Sequence, residues 1–363
     1  MLTVLLAIPS LAADFEQIDL FHQGDGGVHT YRIPALAQTT RGTLIAVADA
    51  RHDSTSDLPA RISLVMRRSS DGGKHWSAVR ILREVNEGGV GDASLLVDRH
   101  NGRIWCMHAY GPPGVGFGNS KPGPDTLQVN AIHSDDDGVT WSVPEDLTPQ
   151  VKDPSWFGVF ATSGSNIQTS YGRLLLPLVV KDERGVTGSR NAYSDDHGKT
   201  WKTGAWAGTG TDESHAVELA GGTILQNMRN GHTRAIARSM DGGVTFGPME
   251  HDAALIDPAC NAGITRYKNI LIFSNAADSA KRRLLTVRVS YDGGKTWPVS
   301  RVIQPGPAAY STVIPLRGGS VGMLYEQGEK TSVERITFAK FKLDWVARGE
   351  KKTGPRMNTN EHE

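Results

Sequence analysis

Ser290-Tyr-Asp-Gly-Gly-Lys-Thr-Trp297 is one of five copies of a short phrase in this 363-residue chain. The other four are Ser69-Ser-Asp-Gly-Gly-Lys-His-Trp76, Ser134-Asp-Asp-Asp-Gly-Val-Thr-Trp141, Ser194-Asp-Asp-His-Gly-Lys-Thr-Trp201 and Ser239-Met-Asp-Gly-Gly-Val-Thr-Phe246. The Asp of the shared pattern accepts hydrogen bonds from turn N–H groups, and the Gly supplies a positive φ that other residues resist. The aromatic residue then re-enters the core as the next strand begins. Each copy therefore predicts a hairpin turn that is followed by a strand whose first aromatic side chain packs in the core.

The spacing of the copies indicates the architecture. Their first serines stand at positions 69, 134, 194, 239 and 290. A repeat of this length that carries several short strands is typical of a β-propeller with one blade per repeat. Strand-like runs bounded by Gly, Pro, Asp or Asn lie at 43–48, 62–67, 94–97, 103–107, 173–178 and 222–226. Five copies and a remainder without one predict an all-β, six-bladed propeller.

The ends of the repeat region predict how the ring closes. The run 334–346 alternates like a strand, and we expect it to pair with residues 18–21 so that no sheet edge is exposed. No convincing amphipathic helix is evident. The repeats follow one another without a linker, which predicts a single closed domain over 15–347. The Gly- and Pro-rich stretch 112–127 is expected to be a long loop on the ligand-binding face of the disc.

Charge, cysteines and termini limit the class of protein. Lys+Arg and Asp+Glu both number 39, so no global basic field for nucleic acid exists. Cys106 and Cys260 are expected to be buried free thiols rather than a disulfide. The apolar run 2–13 is too short to span a bilayer, and it predicts a signal-peptide remnant at 1–14 and a secreted or periplasmic protein. The charged tail 348–363 is predicted to be disordered.

A series of further motifs stands in order between residues 18 and 346. They include His29-Thr-Tyr-Arg-Ile-Pro-Ala-Leu36, Ala50-Arg51, Ser56-Asp57-Leu-Pro59, Arg67-Arg68, Thr211-Asp-Glu213, Gln226-Asn-Met-Arg229, Arg282-Arg-Leu-Leu-Thr-Val-Arg288, Ala309-Tyr310-Ser-Thr and Met323-Leu-Tyr-Glu326. Together they resemble the catalytic domains of bacterial sialidases (neuraminidases), and the five repeats resemble the Asp boxes of that family. Asp boxes also occur in propellers that hydrolyse nothing, so the activity depends on the other motifs.

The resemblance implies a retaining exo-α-sialidase. Sialic acid carries a carboxylate on its anomeric carbon, and a planar, always-charged guanidinium can bond both of its oxygens. The family uses three arginines, which the motifs place at Arg32, Arg229 and Arg282. Arg283 is the rival for the third position. We prefer Arg282 because it stands eight residues before Ser290 of the fifth box, as in the family pattern.

The substrate carboxylate also restricts the nucleophile, because it repels a second carboxylate. Sialidases with a Tyr nucleophile are an established exception to the two-carboxylate scheme of glycosidases. An unperturbed Tyr titrates near ~10, so a base is required. The resemblance implies Tyr310 as nucleophile and Glu213 as its base. Asp57, on the loop after the strand-like run 43–48, matches the acid/base and is preferred over Asp53.

Other matched positions would complete the site. Glu326 matches the glutamate that braces the first arginine. Arg51 and Asp92 match positions that line the site near the sugar's C4 and N-acyl groups. His215 follows Glu213 by two residues, which is more typical of an incidental neighbour. The mechanism requires no cofactor, no metal spacing is present, and the second box explains the acidic run at 135–137 better than calcium does.

The resemblance implies sialylated oligosaccharides, glycoproteins or glycolipids as partners and a monomer, with no nucleic acid and no membrane span. Other functions remain open. The sugar of the same reaction is alternatively a deaminated or eight-carbon ulosonic acid, a choice on which Asp92 and Trp156-Phe157 bear. The chain is alternatively a non-catalytic glycan-binding propeller, although such a protein has no reason to keep Tyr310, Glu213 and Asp57 together. A trans-sialidase usually needs an aromatic acceptor platform, which the sequence does not identify.

Overall fold

The computed structural model describes residues 14–349, and strands make up most of it. In chain order the strands are β1 (Phe15–His22), β2 (Thr30–Gln38), β3 (Leu44–Arg51), β4 (Ile62–Ser69), β5 (Arg80–Arg83), β6 (Gly89–Val97), β7 (Ile104–Gly111), β8 (Gln128–Ser134), β9 (Glu145–Asp146), β10 (Gly158–Ala161), β11 (Gly164–Ser165), β12 (Ile167–Gln168), β13 (Leu174–Lys181), β14 (Thr187–Ser194), β15 (Lys202–Thr209), β16 (Ser214–Glu218), β17 (Ile224–Met228), β18 (Thr233–Ser239), β19 (Glu250–Ile256), β20 (Gly263–Tyr267), β21 (Ile270–Ala276), β22 (Arg283–Ser290), β23 (Val299–Pro315), β24 (Ser320–Gln327) and β25 (Arg335–Lys342). The helices are α1 (Thr148–Val151) and α2 (Leu343–Ala347), with 3-10 turns at Asp25–Gly27 and Phe117–Asn119.

The strands form six antiparallel blades, so the predicted all-β, six-bladed propeller is confirmed. Blade 1 is β2–β5, blade 2 is β6–β9, blade 3 is β10 with β12–β15, and blade 4 is β16–β19. The two-residue β11 is an exception to the antiparallel pairing, because it adds to β6 of blade 2 in parallel. The long β23 serves two blades, because its first half pairs with β22 and its second half with β24. Blade 5 is therefore β20–β22 with the first half of β23, and blade 6 is the second half with β24, β25 and β1.

The ring is closed by the two ends of the chain, as the sequence predicts. β1 pairs antiparallel with β25, and Ile18 stands opposite Phe338. The expected strand 334–346 is too long, however, because β25 ends at Lys342 and α2 follows. A short apolar run is compatible with either a strand or a helix, and here Trp345 stacks on Phe15 at 4.5 Å between ring centroids.

The five Asp boxes share one geometry and join neighbouring blades. In each box the Ser Oγ donates to the Asp Oδ1 at 2.7–2.8 Å and accepts from the Gly N–H at 2.8–2.9 Å. The box glycines have φ between 76° and 92°, which confirms the predicted positive φ. A Cβ built on any of them would lie 2.3–3.2 Å from a side chain of the neighbouring blade. The boxes are therefore contacts between blades as well as turns.

The inner strands of all blades run in one direction along the axis. Arg32 stands near the start of the inner strand of blade 1, and Gln38 ends it. At the far end, a cavity of about 470 Å³ is lined by the C-terminal parts of the inner strands of all six blades. The residues singled out by the sequence lie at or above the starts of these strands. The site and the Asp boxes are consequently on opposite faces of the disc.

The core lies between adjacent blades, in clusters of strand side chains. Cys106 on β7 and Cys260 in the β19–β20 loop are buried free thiols, as expected. No helix within residues 14–349 is long and apolar enough to cross a membrane. In the same range no three His, Cys, Asp or Glu side chains are grouped to hold a metal ion. The expected signal-peptide remnant at 1–14 and the tail at 348–363 fall almost entirely outside the described residues and stay predictions.

Candidate active site

β-bulges aim the candidate site residues at the axis. The ladder registers shift between Arg32 and Ala35, between Gly91 and Ser94, and between Ala308 and Ser311. Ile33 and Asp92 have φ values of 58° and 57°, a region that side-chain-bearing residues seldom adopt. A bulge breaks the strict alternation of a strand and redirects a side chain. Regular β-strands would turn some of these groups away from the axis.

A buried tyrosine–glutamate pair lies at the centre of the site. The Tyr310 hydroxyl donates to Glu213 Oε2 at 2.6 Å, and the two residues are only 8% and 3% exposed. Arg229 Nη1 donates to the same Oε2 at 2.8 Å and to the Tyr310 hydroxyl at 3.1 Å. Glu213 precedes β16 and Tyr310 lies in β23, so the ring closes this contact across 97 residues.

The electrostatics of this pair keep the phenol protonated in the free protein. Burial, followed by the Glu213 charge, raises the pKa of Tyr310 well above its ordinary value, although Arg229 opposes the shift. Burial also raises the pKa of Glu213 against the lowering effect of Arg229. A phenol with a raised pKa needs a base to attack, and the carboxylate that accepts its hydrogen bond is in place for that role.

Glu326 braces two parts of the site at once. Its Oε1 and Oε2 accept from Arg32 Nε at 3.1 Å and Arg32 Nη2 at 3.2 Å. The same carboxylate accepts from the backbone N–H groups of Ile33 at 2.9 Å and Tyr310 at 3.2 Å. Burial acts to lower the pKa of Arg32, but the charge and hydrogen bond of Glu326 together with the Tyr310 and Asp57 charges more than offset it, so the pKa is raised. The guanidinium is therefore charged and fixed, with its carbon 5.2 Å from the Tyr310 ring centroid.

The structure separates the two neighbouring arginines 282 and 283. The guanidinium carbon of Arg282 is 5.5 Å from the Tyr310 ring centroid, and its Nη2 contacts the carbonyl of Ala259 at 3.4 Å. Arg283 is half exposed and pairs with Asp278 at 2.6 Å. The structure therefore brings Arg32, Arg229 and Arg282 together around Tyr310 and leaves Arg283 outside.

A second group of charged side chains in the site consists of Arg51, Asp57 and Asp92. Arg51 Nη2 is 2.6 Å from Asp57 Oδ1, and the Asp57 side chain is 81% exposed. Asp53, the rival for the acid/base position, is exposed and lies 3.9 Å from Arg61. Burial, followed by the charges of Asp49 and Glu213, raises the pKa of Asp92 well above its ordinary value. Its surroundings therefore disfavour the charged form of Asp92.

The loop 112–127 lies on this face, as predicted. A Cβ on Gly116 would lie 2.1 Å from the carbonyl oxygen of Leu58, so this loop packs tightly on the one that carries Asp57. Phe117 meets Phe160 of blade 3 edge-on at 5.0 Å. Trp156 and Phe157 lie elsewhere on blade 3, against Arg190 at 4.8 Å and Lys181 at 5.7 Å.

Several residues around the site were missed by the sequence analysis. Asp49 is buried between Arg51 and the backbone of Asp92. Cys260 packs with Tyr310, and burial raises the pKa of its thiol to about 12. The fully buried Arg234 donates to the Cys260 carbonyl at 2.7 Å. His215, which the sequence analysis set aside as an incidental neighbour of Glu213, is buried under the site, and burial lowers its pKa to about 4. Asp49 and Cys260 also contact residues that are distant in sequence, so no local motif marks them.

The fold and the site define a class: an Asp-box propeller with three arginines around a buried tyrosine at one end of its axis. The sequence pattern of the BNR repeat-like domain family matches residues 92–323. A sialidase of Micromonospora viridifaciens is 39% identical over 92% of this chain and 54% of its own length. A sialidase of Bacteroides fragilis is 35% identical over 89% of this chain and 64% of its own length.

Solved structures agree with these relatives. The Hadza microbial sialidase Hz136 superposes with a TM-score of 0.84 and 34% identity, over 91% of this chain and 69% of that one. A leech intramolecular trans-sialidase has a TM-score of 0.82 at 18% identity, which is a likeness of fold. The chain belongs to the sialidase family of BNR-repeat propellers. It spans 54% and 64% of the length of the two curated relatives.

Proposed function

We propose that this protein is a retaining exo-α-sialidase that works through a covalent sialyl-tyrosine intermediate. The observation that carries the proposal is the 2.6 Å hydrogen bond from Tyr310 to Glu213 within a ring of three arginines. The family membership of the chain supports the same activity. The proposal assigns each group of the site one step.

Substrate binding falls to Arg32, Arg229 and Arg282. Their guanidinium groups surround the face of the pocket in which Tyr310 lies. A carboxylate placed there gains charge-assisted bonds, and the Glu326 brace holds the Arg32 fork in position before the sugar arrives. This arrangement brings the anomeric carbon, which bears the carboxylate, above the phenol oxygen.

The first displacement uses Tyr310, Glu213 and Asp57. The Tyr310 oxygen attacks the anomeric carbon, and its proton passes to Glu213 Oε2. The bond to the leaving oxygen breaks, and that oxygen takes a proton from Asp57. A phenol is neutral before attack, so the substrate carboxylate does not repel it as it would repel a carboxylate nucleophile.

The second displacement reverses these transfers. Water attacks the anomeric carbon and gives a proton to Asp57, and the departing Tyr310 oxygen regains its proton from Glu213. Two displacements at one carbon retain its configuration, as in other retaining glycosidases. The exposed position of Asp57 allows it to meet both the leaving group and the incoming water.

Replacing the nucleophile tests the proposal. Tyr310→Phe removes the attacking oxygen while keeping the ring, so we expect turnover of a fluorogenic sialoside to fall by roughly 10²–10⁴-fold. Tyr325→Phe is the matched control, because that buried tyrosine hydroxyl contacts Gln17 at 3.1 Å and lies outside the site. Undiminished turnover by Tyr310→Phe would refute the assignment.

The stereochemistry and the intermediate have their own measurement. Proton NMR of the first turnovers should show the α-anomer of the free sugar, followed by mutarotation. Trypanosoma rangeli sialidase, which shares the fold with a TM-score of 0.77 and 20% identity, has been solved as a covalent intermediate with 2,3-difluorosialic acid. The same reagent should add its sugar mass to the peptide that contains Tyr310 here, and a β-anomer as first product would contradict the proposal.

The proposed partners are sialylated oligosaccharides, glycoproteins and glycolipids. Parallel assays with N-acetylneuraminate glycosides and their deaminated analogues identify the acid sugar. A secreted or periplasmic location is a separate proposal, which rests on the apolar run 2–13. Export of a reporter fused to residues 1–14 tests it directly.

A further inference from the structure

One guanidinium stands between two carboxylates at the edge of the site. Arg51 Nη2 is 2.6 Å from Asp57 Oδ1 and 3.4 Å from Asp49 Oδ2. Within residues 14–349 these are the two carboxylates in ion-pair contact with Arg51. The side chains of Arg51 and Asp49 are 2% and 1% exposed, whereas that of Asp57 is 81% exposed. The same nitrogen therefore faces one buried partner and one partner in solvent.

The buried partner is held rigidly. Asp49 and Arg51 stand two residues apart on β3, so their side chains leave the same face of the strand. Asp49 Oδ1 accepts from the backbone N–H of Asp92 at 3.0 Å, and a Cβ on Gly91 would lie 3.1 Å from Asp49 Oδ2. Asp57 instead lies on the β3–β4 loop, whose Thr55 carbonyl accepts from Arg51 Nη1 at 2.6 Å.

The next step rests on the proposed function, in which Asp57 alternates between acid and base. When Asp57 carries the proton it no longer has a charge to pair with Arg51. A buried guanidinium without a counter-ion is costly. A second carboxylate within reach of Arg51 removes that cost.

We propose that Asp49 is a positioning residue, the alternative counter-ion of Arg51. Arg51 pairs with Asp57 while Asp57 is a carboxylate, and with Asp49 while Asp57 carries the proton. The proton that Asp57 takes from solvent is matched by one that Asp49 releases to solvent, so the charge of the three groups is constant. After Asp57 protonates the leaving oxygen, Arg51 returns to it and Asp49 regains a proton.

The surroundings of Asp49 suit this exchange. Burial raises the pKa of Asp49 to about 7, although Arg51 and the Asp92 N–H oppose the rise. Three charged side chains act on Asp49, namely those of Arg51, Asp57 and Arg32. Burial and the charges of Asp49 and Glu213 raise the pKa of Asp92 well above its ordinary value. Asp49 thus combines direct contact with Arg51 and a pKa that burial raises to about 7.

Turnover of two leaving groups tests the role. Asp49→Asn keeps the shape and the oxygen that accepts from the Asp92 N–H, but it cannot become a counter-ion. We expect kcat/KM on 3′-sialyllactose, whose leaving group needs an acid, to fall by about tenfold or more, and its high-pH limb to move down by about one unit. On 4-nitrophenyl sialoside, which needs little acid assistance, the variant should stay within about threefold of the parent. Asp53→Asn, on the same loop, is the matched control and should change neither.

A stability measurement tests the exchange without turnover. A carboxyl whose pKa is raised in the folded state contributes stability that is fully present below its unfolded pKa and is lost as pH rises through about 7. The free energy of unfolding should therefore decline between about pH 4 and pH 7 through Asp49. In Asp57→Asn, Arg51 pairs with Asp49 alone, and this pairing lowers the pKa of Asp49. The decline of the unfolding free energy with pH should therefore be smaller in that variant. In Asp49→Asn the Asp49 contribution is absent, and adding Asp57→Asn should not reduce the decline further.

The outcomes separate this inference from the proposed function. If the parent protein hydrolyses neither sialoside, the proposed function fails, and the urea titrations across pH still decide whether Asp49 and Asp57 share Arg51. Equal pH dependence of unfolding in Asp57→Asn and the parent overturns the inference. Equal losses by Asp49→Asn on both sialosides also overturn it, because they indicate a purely structural role. A leaving-group effect in Asp92→Asn but not in Asp49→Asn overturns it as well.

Discussion

Arg282 and Arg283 are adjacent in the chain, yet they face different surroundings. Arg282 contacts the Tyr310 ring, whereas Arg283 is half exposed and bound to Asp278. We expect Arg282→Lys to raise KM for a sialoside by roughly 10–100-fold, because an ammonium cannot reproduce the forked bond to a carboxylate. The matched Arg283→Lys should leave KM unchanged. The reverse pattern would assign the third arginine to position 283.

Glu213 determines how the activity responds to acid. Burial raises its pKa, so as pH falls the carboxylate takes a proton earlier than an ordinary glutamate would. The base required by Tyr310 is then lost, and the low-pH limb of kcat/KM should lie above the ordinary glutamate value. Glu213→Gln should lower kcat by roughly 10²–10⁴-fold and remove this limb. A limb that persists in the variant would assign it to another group.

At the scale of elements, the turns were predictable from sequence because their reasons are local. Ser69, Asp71 and Gly73 satisfy one another within four residues, so the box carries its own explanation. The bulges at Ile33 and Asp92 are different. Ile33 is held by Glu326, which is 293 residues away, and Asp92 by Asp49, which is 43 residues away. Such contacts leave no periodic signal in the strand that they distort.

The same distinction explains which site residues the sequence revealed. Arg32, Tyr310 and Glu213 were found because they stand in motifs that resemble a known family. Asp49 stands between two alanines in β3, where an aspartate predicts nothing except a break in an apolar run. Arg51 stands beside it on the same strand, but only the fold brings the Asp92 backbone against this carboxyl and gives it a role. The prediction for the end of β25 was wrong because the local pattern is ambiguous. An alternating run of a few residues also suits the helix α2.

For the whole molecule, the Asp boxes tie blade to blade on the face opposite the site. The site draws on several blades at once: Arg32 comes from blade 1, Glu213 from the start of blade 4 and Tyr310 from blade 6. Its 2.6 Å tyrosine–glutamate contact depends on the spacing of blades around the ring. Substitutions that disturb the packing at the boxes should therefore change the spacing of the blades and, with it, the geometry of the site.

Gly198 and Gly172 make this claim testable within blade 3. Both have positive φ, 87° and 93°, but a Cβ on Gly198 would lie 2.4 Å from Trp105 of blade 2, while a Cβ on Gly172 meets nothing within 4 Å. Gly172→Ala should cost only the backbone strain, about 1 kcal/mol of unfolding free energy, and Gly198→Ala a further 1–3 kcal/mol or so from overpacking between blades. Urea titrations measure both. Equal losses in the two variants would show that the box glycine serves its own turn alone, whereas a larger loss in Gly198→Ala places part of the propeller's stability in the contact between blades.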